Sequence, residues 1–253
     1  MKALVLAAGR GSRFGELTTD ENKCMLKPLG KPILDYNMEN AARTSAREIV
    51  LVVGHKSEDI MERYRNAFMG KPIRYVLQAK LLGLVHAMEC ATDAIEGEDF
   101  LLFLGDEILT NPRHGAMIKQ FSSEMLFGLC GVYPESNIVK IRRTYTLFED
   151  SEHRIYRLIE KPRRPIRHVM GTGNCVFVND ILSFIDRTPI NPSRGQRELP
   201  DLVQCAIDEG NVVKSFNICD EYTNVNSEDD LTEAIRVLSQ QRELVGVATS
   251  SPG

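Results

Sequence analysis

Five short runs of apolar residues recur in the first half of the chain, and they constrain its fold more than any other feature of the sequence. Each run is rich in branched aliphatic residues, which is typical of a strand buried on both faces. Segments with helical spacing of apolar residues separate the runs, and this alternation predicts an α/β fold with a mostly parallel sheet and helices on both faces. The runs occupy residues 3–7, 49–53, 73–77, 100–104 and 127–132.

Three amphipathic helices are predicted between the first four strands. Pro32 suits the first turn of one helix, and Ser57 can accept the first backbone N–H groups of a second. Apolar residues at helical spacing give each helix one face to bury. These faces consist of Leu34, Met38, Ala41 and Ala42; of Ile60, Tyr64 and Phe68; and of Leu84, Met88 and Ala91.

The pattern changes after residue 132, where alternating polar and apolar residues predict an antiparallel section inserted into the fold. Ser227 and Asp230 resemble the capping box of a last helix. We therefore expect one domain over residues 1–246 and a flexible tail at 247–253. The further predicted elements are strands at 139–149, 154–160, 169–178 and 212–218, and helices at 180–186, 199–209 and 227–246.

Charge and cysteine content exclude several classes of protein. The chain has 253 residues, with 31 Lys and Arg against 35 Asp and Glu, a net charge of −4. This acidic excess provides no basic surface for a nucleic acid or an anionic membrane. The six cysteines include no C-x-x-C pair, which is typical of buried thiols in a reducing compartment. Charges interrupt the apolar start at residues 9–13, and no run approaches the roughly 20 residues that span a bilayer, so a cytoplasmic protein is expected.

A turn rich in small residues follows the first predicted strand. In open α/β sheets this edge binds ligands, and small residues let backbone N–H groups approach phosphate oxygens. Phe14 replaces the third glycine of a dinucleotide-binding motif, and the chain has no G-x-x-x-x-G-K-[ST] motif. Taken alone, the segment is therefore compatible with a simple tight turn. It reads Gly9-Arg10-Gly11-Ser12-Arg13.

Further motifs follow this turn in order along nearly the whole chain. They are Lys23-x-x-Leu26, Gly30-Lys31-Pro32, Gln78 with Gly83, Leu104-Gly105-Asp106, Glu160-Lys161-Pro162, and Arg194-Gly195 with Glu198 and Asp201. The ordered set resembles the sugar-1-phosphate nucleotidyltransferases, or NDP-sugar pyrophosphorylases, of the glucose-1-phosphate thymidylyl- and uridylyltransferase type. This resemblance implies a Rossmann-like, GT-A-like fold with an inserted antiparallel sugar-binding lobe. It also implies a nucleotide-binding part at 1–132 and a sugar-binding part at 133–226.

The resemblance assigns roles to individual residues. Joining a nucleoside triphosphate to a sugar phosphate requires cations that neutralise two polyanions, and the implied catalytic residues are Arg13, Lys23 and Asp106. Gln78 is expected to pair with a pyrimidine, which favours UTP or dTTP. The implied nucleotide-binding residues are Ala7, Ala8, Gly9, Gly11, Ser12, Gln78 and Gly83. The implied sugar-phosphate-binding residues are Glu160, Lys161, Gly173, Asn174 and Arg194.

Mg²⁺ is the expected cofactor. Asp106 follows a buried strand, which places a carboxylate at the sheet edge, and Mg²⁺ is commonly held by one or two carboxylates and substrate phosphates. Asn226 is the predicted second ligand, with Asn224 in reserve, because relatives read Asp-Val-Asn-Thr where this chain reads Asn-Val-Asn-Ser. Glu107 stands where relatives often have Asn, and it either adds an acidic group or faces solvent.

The expected activity is Mg²⁺-dependent transfer of a nucleotidyl group from UTP or dTTP to a sugar-1-phosphate, with release of pyrophosphate. The expected partners are thus an NTP and a sugar-1-phosphate, without nucleic acid or membrane, and a homo-oligomer is compatible because relatives are often dimers or tetramers. Two alternatives remain, a cytidylyltransferase acting on a non-sugar phosphate or phosphonate and a catalytically silent sugar-nucleotide sensor. The histidines show no ligand spacing and are expected on the surface or in packing; they are His55, His86, His114, His153 and His168.

Overall fold

The protein is built around an eight-stranded mixed sheet. A computed structural model describes residues 1–11 and 22–249, with side chains described up to residue 243. The strands are β1 (Lys2–Leu6), β2 (Ile49–Val53), β3 (Ala67–Phe68), β4 (Lys71–Leu77), β5 (Phe100–Leu104), β6 (Glu107–Thr110), β7 (Gly128–Pro134), β8 (Tyr145–Glu149), β9 (Ile155–Glu160), β10 (Val169–Phe177), β11 (Ile190–Asn191), β12 (Gln196–Arg197), β13 (Val213–Asn217) and β14 (Glu221–Asn224).

Helices connect most of these strands. The α-helices are α1 (Ile33–Ala42), α2 (Ser57–Tyr64), α3 (Leu84–Cys90), α4 (Thr92–Ile95), α5 (His114–Ser123), α6 (Ile138–Ile141), α7 (Leu199–Asp208) and α8 (Glu228–Thr249). Short 3₁₀ helices occur at Lys23–Met25, Pro28–Gly30 and Asn179–Phe184.

The main sheet has the strand order β13-β7-β10-β5-β1-β2-β4-β3. Strands β4, β2, β1 and β5 are parallel, whereas β10 is antiparallel to both of its neighbours, β5 and β7. This topology confirms the predicted mostly parallel sheet, and β2 and β5 have the predicted bounds. The carboxyl ends of the parallel strands meet at one edge of the sheet, which we call the carboxyl edge.

Side chains of β1 alternate between two apolar cores, one on each face of the sheet. Ala3 and Val5 join the core that includes residues of α1, α2 and α5, whereas Leu4 and Leu6 join the core that includes residues of α3 and α7. Because both faces are covered, β1 and β2 are buried along their whole length. The predicted helices on both faces are therefore confirmed.

The inserted section differs from its prediction in two places. Residues at the start of the predicted hairpin form α6 instead, because the side chain of Asn137 accepts the backbone N–H of Val139 at 2.9 Å and starts a helical turn. The hairpin consists of β8 and β9 alone. The next strand, β10, lies in the main sheet between β7 and β5, and the Thr146 side chain of the hairpin donates to its Val169 carbonyl at 2.7 Å.

The last two helical segments also depart from their predicted form. Residues 180–186 belong mostly to a 3₁₀ helix, Asn179–Phe184, instead of an α-helix. The predicted capping box is present, since the Ser227 hydroxyl donates to Asp230 at 2.8 Å and accepts from its backbone N–H at 3.3 Å. Helix α8 then runs to Thr249, beyond the predicted boundary at residue 246, and the rest of the predicted tail lies outside the described residues.

Two observations concern the whole described chain. None of its helices combines the length and the apolar character needed to cross a membrane. All six cysteines are free thiols in the described structure; Cys24, Cys130, Cys175 and Cys219 are buried, and Cys90 and Cys205 are half-buried.

Candidate active site at the carboxyl edge of the sheet

A cleft of about 470 Å³ lies along the carboxyl edge of the sheet and collects most of the predicted site residues. Its lining combines residues from both predicted parts of the domain, so the two sets of motifs meet in space. The predicted residues that line it are Ala8, Gly9, Gly11, Lys23, Gln78, Gly83, Asp106, Glu160, Lys161, Gly173, Arg194, Asn224 and Asn226.

Two described residues of the predicted site, Ala7 and Asn174, are not part of this lining. Ala7 is buried behind the cleft, where its carbonyl accepts from the Asn22 side chain at 3.1 Å. Asn174 is also fully buried, where it contacts His114 at 2.7 Å and Glu107 at 2.7 Å, and its role in sugar-phosphate binding stays a prediction. Ser12 and Arg13 lie outside the described residues.

Asn22 delivers Lys23 to the end of β1. Its side-chain oxygen accepts the backbone N–H of Cys24 at 2.9 Å, which caps the 3₁₀ helix Lys23–Met25. Its side-chain nitrogen donates to the carbonyls of Ala7 at 3.1 Å and His55 at 2.7 Å. Asn22 is fully buried, so these bonds fix the backbone of Lys23 against the ends of β1 and β2.

Lys23 lies between the two predicted metal ligands. Its ammonium forms an ion pair with the Asp106 carboxylate and donates to the Asn226 side-chain oxygen at 2.9 Å. The side chain of Lys23 is 9% exposed and that of Asp106 is 19% exposed. A largely desolvated ion pair at the mouth of a cleft is a strong local electrostatic feature that can bind the charges of a ligand.

The pairing of β6 with β14 brings the two oxygen ligands together. In this antiparallel pair Asn224 lies opposite Glu107, and the backbone N–H of Val225 donates to the Asp106 carbonyl at 2.9 Å. The backbone N–H of Asn226 donates to Asp230 at 3.0 Å, so the start of α8 holds Asn226 in place. Backbone pairing between two segments that are far apart in sequence therefore brings Asp106 and Asn226 together.

These residues fit a divalent cation that is shared with phosphates. One oxygen of Asp106 and one of Asn226 already contact the same cationic group, the Lys23 ammonium, so two oxygen ligands point at one position. The described residues contain no cluster of three or more His, Cys, Asp or Glu side chains that could hold a metal ion. Mg²⁺ suits such a site because it commonly takes one or two protein ligands and completes its shell with phosphates and water.

Gln78 and Gly83 form the side of the cleft assigned to the base. Gln78 is buried, and its side-chain nitrogen donates to the Gly83 carbonyl at 2.9 Å. Gly83 precedes α3 with a φ of 97°, and a Cβ there would lie 2.8 Å from the side-chain oxygen of Gln196. Both the positive φ and this close approach favour glycine.

Glu160 and two cations form the side assigned to the sugar phosphate. Arg194 contacts Glu198 at 2.8 Å and Glu160 at 3.5 Å, and Lys161 lies 3.4 Å from Glu160. Burial and the neighbouring Glu198 carboxylate raise the pKa of Glu160, while Lys161 and Arg194 oppose that shift. The two cations are about one-third exposed and can therefore exchange a carboxylate for a phosphate.

Glu107 neither faces solvent nor acts as a second free carboxylate. It is buried, and it accepts hydrogen bonds from the Gly173 N–H at 2.8 Å, Asn174 at 2.7 Å and the Tyr222 hydroxyl at 2.5 Å. Burial raises the pKa of Glu107 to about 8. Because Glu107 takes the Gly173 N–H, that group is not free for a sugar.

Comparison with known proteins agrees with this geometry. The family model described as nucleotidyl transferase matches residues 2–241. The chain belongs to the nucleotidyl transferase family. It is 31% identical over 242 residues to the UTP–glucose-1-phosphate uridylyltransferase AglF of Haloferax volcanii, covering 95% of this chain and 98% of that protein.

Two further proteins extend the comparison. A glucose-1-phosphate thymidylyltransferase of Streptomyces griseus is 27% identical over 250 residues, covering 96% of this chain and 67% of that protein. A solved UDP-glucose pyrophosphorylase complexed with UDP-glucose has a TM-score of 0.84 at 18% identity, covering 95% of this chain and 98% of that one. The latter likeness confirms the GT-A-like fold of this family member.

The structure adds cleft residues that sequence reasoning missed. Tyr145 lines the cleft, and its ring lies where a Cβ of Gly171 would be, 1.9 Å from the nearest ring atom. Arg143 also lines the cleft and forms an ion pair with Asp230 at 3.1 Å. Neither belongs to a recognised motif; Arg143 lies inside the predicted strand 139–149 and precedes the observed β8, and its positive charge is the one signal that could have indicated it.

Proposed function

We propose that this protein transfers a nucleotidyl group from UTP or dTTP to a sugar-1-phosphate in a Mg²⁺-dependent reaction, giving an NDP-sugar and pyrophosphate. One observation carries the proposal: a single cleft contains a buried amide, a lysine between two oxygen ligands, and a carboxylate beside two cations. The family membership and the names of the uridylyl- and thymidylyltransferase relatives support it.

The cleft suggests a division of labour between its two sides. We assign the triphosphate to the part at 1–132, where the turn at Gly9 and Gly11, with Lys23, can contact phosphates. We assign the sugar phosphate to the part at 133–226. There Lys161 and Arg194 can neutralise its charge, and Glu160 can accept hydrogen bonds from sugar hydroxyls. Arg13, which also belongs to the part at 1–132, is proposed to bind the triphosphate as well.

Lys23 neutralises charge in the proposed transition state. Its ammonium is within reach of two oxygen acceptors, and an incoming α-phosphoryl group competes for the same donor. The attacking oxygen belongs to a phosphate monoester, which is already ionised near neutral pH, so positioning and charge neutralisation carry the rate without a strong general base. A divalent cation held by Asp106 and Asn226 would add further neutralisation of the triphosphate.

Cys24 is not a candidate nucleophile for a covalent route. It lines the cleft next to Lys23, but burial and the Asp106 carboxylate raise the pKa of its thiol to about 12. A protonated thiol is a poor nucleophile at neutral pH. Direct in-line attack of the sugar phosphate on the α-phosphorus is therefore the route that this cleft supports best.

A matrix of nucleoside triphosphates and sugar-1-phosphates, with pyrophosphate release measured, tests the proposal. We expect the highest turnover with UTP or dTTP and a sugar-1-phosphate, loss of turnover in EDTA, and recovery with Mg²⁺. Asp106→Asn should abolish most turnover, whereas Asp93→Asn, an exposed residue of α4, should not. Pyrophosphate release with non-sugar phosphates alone, or none with any acceptor, would contradict the proposal.

A further inference from the structure

Two neighbours hold the amide of Gln78 in one orientation. The side-chain nitrogen of Gln78 donates to the Gly83 carbonyl at 2.9 Å and lies 2.9 Å from Nδ1 of His86. A carbonyl can only accept, so the Gly83 contact requires the nitrogen of the amide, not its oxygen, on that side. The two hydrogens of this nitrogen are then both used within the protein.

His86 must accept a hydrogen bond in this arrangement. Because the Gln78 nitrogen is a donor, Nδ1 of His86 carries no hydrogen, and the neutral ring carries its hydrogen on Nε2. The Cys90 sulfur lies 3.9 Å from Nδ1 and 3.8 Å from Nε2, so it does not distinguish the two ring nitrogens. The contact with the Gln78 nitrogen alone therefore sets the tautomer of His86 in this arrangement.

Both groups that hold Gln78 come from one rigid turn. Gly83 precedes the first residue of α3, and His86 lies in the first turn of that helix. Gln196 packs against the other side of Gly83 so closely that a Cβ there would lie 2.8 Å from its side-chain oxygen. The Gly83 carbonyl and Nδ1 of His86 thus move together and cannot easily follow a rotated amide.

The side-chain oxygen of Gln78 is the part of the amide left for a ligand. Within the described part of the chain it has no hydrogen-bond partner, and Gln78 lines the cleft. We infer that His86 is a positioning residue that sets nucleotide specificity: it holds the Gln78 amide so that only an acceptor is offered to the base. This inference rests on the proposed function, in which Gln78 contacts a pyrimidine.

An acceptor at this position distinguishes the pyrimidines. Uracil and thymine carry a hydrogen on N3 and can donate it to the Gln78 oxygen, whereas N3 of cytosine is an acceptor and is repelled. Rotating the amide to suit cytosine would turn its oxygen toward the Gly83 carbonyl, which can only accept, and would force the His86 ring to move its hydrogen from Nε2 to Nδ1. One hydrogen bond would be lost, one repulsion gained and the His86 tautomer changed, so the fixed amide disfavours CTP.

Substitution of His86 tests this role. His86→Leu removes the acceptor, leaving only the Gly83 carbonyl to oppose rotation of the amide. We expect the ratio of kcat/KM for UTP to that for CTP to fall by at least about fivefold, through loss with UTP and gain with CTP. His86→Asn keeps an acceptor oxygen near the position of Nδ1, and its ratio should stay within about twofold of wild type. The KM for the sugar-1-phosphate should not change in either variant.

Cys90→Ala is the matched control, because Cys90 contacts the same ring but not the amide. An unchanged UTP-to-CTP ratio in His86→Leu, an equal loss with both nucleotides, or a His86→Asn variant no better than His86→Leu would overturn the inference while leaving the proposed function in place. If the wild-type enzyme instead prefers ATP or GTP, or releases no pyrophosphate with any pyrimidine nucleotide, the proposed function and the inference both fail.

Discussion

Lys2 and Lys23 are two buried lysines at opposite edges of the same sheet, and they differ in how completely the protein satisfies them. An ammonium group has three N–H donors. Lys2 donates to the Ala94 carbonyl at 2.7 Å and to Glu96 at 2.7 Å, and it also forms an ion pair with Glu48 at 2.8 Å. The amino edge of the sheet is thereby closed by a network of protein groups.

Lys23, at the carboxyl edge, has fewer partners. In the described residues it contacts Asp106 and Asn226, both of which line the cleft. One N–H donor and the exposed side of Asp106 remain for a ligand. Two buried lysines can therefore have different roles. Lys2 stabilises the fold, whereas Lys23 retains an N–H donor that can bind a polyanion.

Substitution of Lys23, at the carboxyl edge, should change activity more than substitution of Lys2 or Lys161. Lys23→Met should lower kcat/KM by roughly 10²–10³-fold, because a donor aimed at transition-state charge is lost. The free energy of unfolding should fall by less than about 3 kcal/mol, since Asp106 lines the cleft and water there can partly solvate it. Pyrophosphate release and urea unfolding measure the two quantities. A variant that unfolds easily but retains its turnover would show that Lys23 is structural.

Lys2→Met should have the reverse effect. Methionine replaces most of the volume of the side chain, but the Glu48 and Glu96 carboxylates lose their buried cation. The free energy of unfolding should fall by about 3 kcal/mol, with kcat unchanged below the unfolding temperature. Lys119→Met, at an exposed position of α5, is the control for stability. Equal stability of the Lys2 and Lys119 variants would mean that the amino-edge network contributes nothing.

A third buried group lies beneath the carboxyl edge and should respond to acid. Burial lowers the pKa of His114 from 6.5 to about 4, and its Nε2 donates to Asn174 at 2.7 Å. The unfolded chain takes up the proton first, so stability is lost as pH falls from about 6.5 toward 4. The maximum loss is on the order of 3 kcal/mol.

Urea unfolding at several pH values between 7 and 4.5 checks this expectation. His114→Gln keeps a donor for Asn174 without titrating, so its unfolding free energy should fall less than that of wild type as the pH is lowered. Parallel pH profiles for the two proteins would show that His114 does not contribute, and the acid response would then belong to carboxylates elsewhere.

Local sequence patterns predict several strands and helices of this molecule, but they do not predict contacts between residues far apart in sequence. β2 and β5 have their predicted bounds because both faces are covered, which leaves an unbroken apolar run. The contacts of Lys23 join residues 83 and 203 positions apart, and no local pattern encodes them. The alternating pattern near residue 139 predicts a strand, but the side chain of Asn137 caps a helical turn there instead.

The site shows the same limit. Motif resemblance places Asp106, Lys161 and Arg194 in one cleft, since each belongs to a short recognisable string. It does not separate Gly173, which lines the cleft, from Asn174, which is buried, because in an extended strand successive side chains point to opposite faces. It also gives no role to His86, whose contact with Gln78 appears only when the turn before α3 is folded.

Substitution of Lys161 should have a smaller effect, and it compares the two sides of the cleft with each other. If the two sides of the cleft serve different substrates, Lys161→Ala should raise the KM for the sugar-1-phosphate by tens-fold, because a phosphate loses one charge-assisted contact worth about 2 kcal/mol. The KM for the NTP should change by less than about twofold. Arg163→Ala removes an exposed cation two residues away and serves as the control. Equal weakening of both substrates would mean that Lys161 contacts the triphosphate as well, and that the cleft has one shared phosphate site instead of two.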